Sequence, residues 1–75
     1  MSSVIKRSIR IARHSTSISL EPEFWAELKR IAAAEKLSLN QLVGRIDAKR
    51  PGNLSSALRV YVLKEIKSSA LRRAE

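Results

Sequence analysis

Seventy-five residues are enough for one small domain. The chain has no cysteine and a single histidine, His14, which excludes a disulfide framework, a thiolate metal site and a histidine cluster for zinc. The net charge is +8, and residues 1–20 hold Lys6, Arg7, Arg10 and Arg13 with no acid, so the expected partner is anionic: nucleic acid, or a membrane surface.

Residues 1–12 are expected to form a basic flexible arm, because small and charged residues dominate and nothing anchors them. Two other readings of this segment stay open. It is rich in Arg and Ser and poor in acid, like a transit peptide. As a helix, Val4, Ile5, Ile9 and Ala12 align in an apolar stripe. Lys6, Arg7 and Arg10 are either phosphate contacts or a solubilising tail.

From Arg13 to Leu20 the chain alternates with period two, as a half-buried strand does. Arg13, Ser15, Ser17 and Ser19 share one face. Ile18 and Leu20 lie on the other and face a core. Ile9 and Ile11 fall on the polar phase, which suggests a bulge or a strand that begins only near Arg13.

A first helix is expected over residues 22–35. Pro22 suits a first helical position, and Glu23 and Glu27 sit near the positive end of its dipole. Phe24, Leu28 and Ile31, with Trp25 and Ala32, recur at helical spacing. Ser38-Leu39-Asn40-Gln41 then matches a capping box, with Leu37 and Leu42 at the staple positions. The second helix carries Leu39, Leu42, Val43 and Ile46 on its apolar stripe. Gly44 in its interior is either a tolerated surface glycine or a point of close approach by another backbone, such as that of a second copy. Arg50-Pro51-Gly52 breaks the pattern, and Asn53 caps a third helix over residues 54–71. The domain proper is thus expected over residues 13–71.

This is a mainly α fold with one short strand, and a lone strand leaves both backbone edges unpaired. A chain of this size also buries only about 60% of its unfolded surface. A second copy answers both needs. The expectation is an intertwined homodimer with an intermolecular two-stranded antiparallel ribbon, and with Ile18, Leu20, Trp25, Leu28, Leu42 and Ile46 in the dimer core. A two-stranded ribbon fits the DNA major groove, about 12 Å wide.

STSISLEPEFWAELKRIAAAEKLSLNQLV resembles the ribbon-helix-helix family of bacterial DNA-binding proteins, and PGNLSSALRVYVLKEI resembles a subgroup with an extra C-terminal helix. The resemblance implies base contacts by Ser15, Ser17 and Ser19, with Arg13 beside them. It also implies a phosphate clamp at Ser38 and the backbone N–H groups of Leu39 and Asn40. Serines accept from or donate to nearly any base, so readout through water or DNA shape is expected. A solvated ribbon face is the other reading of the three serines.

The functional expectation is a sequence-preferring transcription regulator that binds double-stranded DNA in the cytoplasm. The alternative is an antitoxin-like or adaptor module that uses Tyr61, Val62 and Ile66 of the third helix against a protein partner. No nucleophile–base pair and no Gly-rich phosphate loop are present, so neither catalysis nor a cofactor is expected. No apolar run approaches the ~18 residues of a membrane span, and no membrane partner is expected.

Overall fold

The structure, a computed structural model, describes residues 3–11, 13–49 and 53–74. The chain order is β1 (Ile5–Ile11), β2 (His14–Leu20), α1 (Pro22–Ala34), α2 (Leu39–Lys49) and α3 (Leu54–Ala74).

The strand expected to be alone has a neighbour in its own chain. β1 pairs antiparallel with β2 along its full length, from Ile5 opposite Leu20 to Ile11 opposite His14. Residues 5–11 are therefore a strand and not a flexible arm, and the ribbon is intramolecular. Neither the helical stripe nor the bulge is present in this segment. The reason lies in the connection. The strands are two residues apart in sequence, and their register switches the inward phase, so odd positions of β1 share a face with even positions of β2. Ile9 and Ile11 look out of phase with Ile18 and Leu20 along the sequence, yet all four are buried together. Arg13 belongs to the turn and is exposed; it does not extend the serine row.

The hairpin lies on the helices through this inward face. Ile9, Ile11, Ile18 and Leu20 join Leu28 and Ile31 of α1, Leu42 and Val43 of α2, and Leu54, Leu58 and Val62 of α3 in one core. Trp25 and Ile46 are partly buried against it. The residues expected to build a dimer core thus form the core of a single chain. α3 supplies much of what a second copy was expected to supply.

The helix ends follow their local chemistry. Pro22 opens α1, and Glu21 at its N-cap makes no side-chain cap bond. α1 closes in a Schellman arrangement: Leu37 N–H donates to the Ala32 carbonyl at 2.9 Å and Lys36 N–H to the Ala33 carbonyl at 3.1 Å. The residue at the left-handed position is Lys36, with φ 59°. At the start of α2 the capping box is complete, with Ser38 N–H donating to Gln41 Oε1 (2.8 Å) and Gln41 N–H to Ser38 Oγ (3.0 Å). Asn53 caps α3 by accepting the Ser56 N–H at 3.0 Å. The expected Arg50-Pro51-Gly52 break lies outside the described residues.

Gly44 is a point of close approach by a side chain of its own chain. A Cβ there would stand 3.3 Å from Ile11 Cγ2, so the missing side chain makes room for the end of β1. Of the three residues expected to present a partner surface on α3, Val62 is buried and Tyr61 is half-buried. The Tyr61 hydroxyl donates to Glu35 Oε2 at 3.0 Å, and Glu35 also pairs with Arg45 at 3.6 Å. Ile66 is exposed, as are Val60, Leu63 and Leu71.

Candidate nucleic-acid interface

Alternation along the hairpin sorts its side chains into two sets. Arg7, Ile9 and Ile11 turn inward with Thr16, Ile18 and Leu20. Lys6, Ser8 and Arg10 turn outward, directly across from Ser19, Ser17 and Ser15. Cross-strand partners of this kind have Cβ atoms about 4.5–5.5 Å apart. The result is a small platform of two cations and four hydroxyls with no acid. Lys6, Ser8, Arg10, Ser15 and Ser17 are exposed, and Ser19 is half-buried.

The expected serine row is therefore one half of the platform. Lys6 and Arg10, expected on a separate arm, form the other half. Ser8 was missed, and a two-residue turn in the reading of residues 9–16 would have found it.

Arg7 does not share that surface. Its guanidinium lies over the Trp25 ring, 4.5 Å from the centroid, and its Nε is buried without a hydrogen-bond partner. Its charge is directed into the packing beneath the sheet.

The far edge of β2 is closed at one end by α3. Ser19 N–H donates to Ser55 Oγ at 3.0 Å, and Arg59 Nη2 donates to the Ser19 carbonyl at 3.1 Å. Arg59 is held in turn by Glu21, whose Oε1 accepts from Nε at 3.0 Å, and it stands 6.0 Å from the Phe24 ring centroid. Backbone hydrogen bonding and the Arg59 guanidinium hold the Glu21 carboxyl below the usual glutamate value. Sequence reading missed this clasp, because a side chain reaching a backbone 36 to 40 residues away leaves no local period.

A second feature lies at α2. Its capping box satisfies the N–H groups of Ser38 and Gln41, so those of Leu39 and Asn40 stay open at the positive end of the helix. Among the described residues no group of three His, Cys, Asp or Glu side chains gathers to hold a metal. Among the same residues, no helix is long and apolar enough to cross a membrane.

A hairpin followed by these helices matches a known family profile, that of the ribbon-helix-helix domain, over residues 4–66. The chain belongs to the ribbon-helix-helix family. This family is one of DNA-binding, dimerising domains. Among solved structures, the chain resembles an uncharacterized protein from Bordetella pertussis Tohama I, with a TM-score of 0.80 and 33% identity. The similarity covers 96% of this chain and 62% of that one, so this ribbon-helix-helix chain spans less than two thirds of its structural relative. No curated protein matches it.

Proposed function

We propose that this chain is a sequence-preferring regulator of transcription that presents its hairpin to the major groove of double-stranded DNA. The observation that carries this reading is the outward platform: Lys6, Ser8 and Arg10 beside Ser15, Ser17 and Ser19, with no acid among them. The major groove, about 12 Å wide, admits a two-stranded ribbon. The exposed positive charge supplies the salt-dependent attraction to phosphate that underlies DNA affinity. Ser38 with the N–H groups of Leu39 and Asn40 adds a phosphate contact at the start of α2, where open donors and the helix dipole favour an anion. Arg13, exposed in the hairpin turn, reaches the backbone at the ribbon's end. Two copies act together, as the family implies.

Binding of the full chain to a random duplex pool at several salt concentrations tests the reading. The slope of log affinity against log salt should be about −0.9 for each phosphate neutralised. Ser17→Ala should alter the preferred sequence with a smaller effect on overall affinity. A flat salt response, or an absence of duplex binding at low salt, contradicts the proposal.

A further inference from the structure

One edge of β2 is taken by β1 over the whole strand, and the other is blocked at Ser19. Ser19 turns its N–H and carbonyl to that second edge, where Ser55 and Arg59 hold both. In an antiparallel strand the two groups of a residue point the same way and the direction alternates, so Ser15 and Ser17 share that edge. A copy of β2 laid there and centred on Ser17 must bond at Ser19, whose groups α3 already occupies. The far edge of β1 is guarded differently. Symmetric pairing centred on Ser8 would set Lys6 opposite Arg10 of the other copy, and like charges directly opposite are destabilising.

We infer that one chain carries a complete groove-reading ribbon with two chemically different strands. This deepens the DNA-binding reading above and rests on it. A ribbon made from two identical strands repeats one set of side chains about a two-fold axis and suits a palindromic element. Here β1 delivers Lys6, Ser8 and Arg10, and β2 delivers three serines. Arginine and lysine reach guanine O6 and N7 with strong preference, whereas a hydroxyl suits any base pair. The sharper discrimination therefore comes from β1, with Arg10 and Lys6 as the main specificity-determining residues and the serines as weaker, adaptable contacts opposite them. The element under one ribbon has no two-fold symmetry. A second copy adds a second complete ribbon, not the missing half of one.

Cysteine cross-linking tests the topology, because the chain has no cysteine of its own. Ser8 and Ser17 are direct cross-strand partners, and a cysteine pair there lies within bridging reach. Mild oxidation of the Ser8→Cys/Ser17→Cys variant should yield a single chain lighter by two hydrogens. Ser17→Cys alone should stay uncross-linked. A covalent dimer from either variant, or no bridge in the double variant, overturns the single-chain ribbon.

Selection of duplexes by the wild-type chain tests the readout. The core element should lack two-fold symmetry, and Arg10→Ala should erase preference on one flank only. A palindrome centred under the ribbon, or equal loss on both flanks, overturns the assignment of readers. An intrachain bridge in a chain that binds no duplex would overturn the DNA reading and leave the ribbon's topology intact. An interchain bridge in a chain that does bind would do the reverse.

Discussion

The Arg7 guanidinium lies 4.5 Å from the centre of the Trp25 ring, on the inward face of a hairpin whose neighbouring cations, Lys6 and Arg10, face out. One strand thus puts a charge into packing and two on the surface. The stacking contributes about 0.5–2 kcal/mol, depending on how far the pair is desolvated. The buried, unpartnered Nε costs about 1–3 kcal/mol. The two contributions oppose each other and overlap in size.

Arg7→Met keeps the bulk over Trp25 and removes both contributions. Its unfolding free energy in urea should fall within about 1 kcal/mol of wild type. Arg7→Ala also strips the cover from the indole and should cost about 1–2 kcal/mol. Trp25, the single tryptophan, reports both transitions by fluorescence. A larger loss for Met than for Ala would contradict the balance.

The clasp on β2 should make stability depend on acid. The Glu21 carboxyl is held below its ordinary value, so its contribution is full above the ordinary glutamate range and is lost as pH falls through the folded-state value. Thermal unfolding of wild type should therefore drop on acidification. Glu21→Gln should be less stable at pH 7 and should lose less on the acid side. Identical acid limbs in the two proteins would show that the Glu21–Arg59 contact is energetically silent.

Tyr61 makes the opposite prediction at high pH. Burial first, and then its hydrogen bond to Glu35, push the phenol up to about 12. A raised value for a group that is neutral when protonated stabilises the fold below the unfolded-state pKa. That stabilisation is lost as pH climbs through the folded-state value. Tyr61 is the only tyrosine, so ultraviolet titration reads it alone. The native chain should show no appreciable phenolate at pH 10, and stability should decline between about pH 10 and 12. A midpoint near 10 in the folded protein would contradict both the burial of the ring and its bond to Glu35.

Lys36 occupies the left-handed position that ends α1, at φ 59°. A side chain there costs about 1–2 kcal/mol, and glycine avoids that cost but loses more conformational entropy on folding. Lys36→Gly should raise the unfolding free energy by about 0.5–1 kcal/mol. Chemical denaturation measures it directly. A loss of stability would mean that the lysine side chain makes a compensating contact.

The helices were legible because their signals are local. Pro22, the Ser38–Gln41 box and Asn53 each act within the first turn of a helix, and the apolar spacing places Leu28, Leu42 and Leu58 on the core without reference to any other element. β1 was not legible, because Ile9 and Ile11 share the face of Ile18 only after the chain reverses. One phase carried straight through residues 12 and 13 reads them as polar-side residues. The same error split the candidate surface, leaving the serines on a strand and Lys6 and Arg10 on an arm. Arg59 and Ser55 left no trace at all, since their meaning comes from a backbone carbonyl and N–H on a distant strand.

The most direct test of the outward hairpin face as the DNA-binding surface is the salt dependence of duplex affinity in three proteins: wild type, Lys6→Ala/Arg10→Ala and Arg7→Met. The platform predicts that the double variant binds more weakly, with a slope shallower by up to about 1.8 per chain bound. Arg7→Met, whose charge lies under the sheet, should run parallel to wild type. A double variant with the wild-type slope, or an Arg7→Met variant that loses as much as the double, would contradict the assignment.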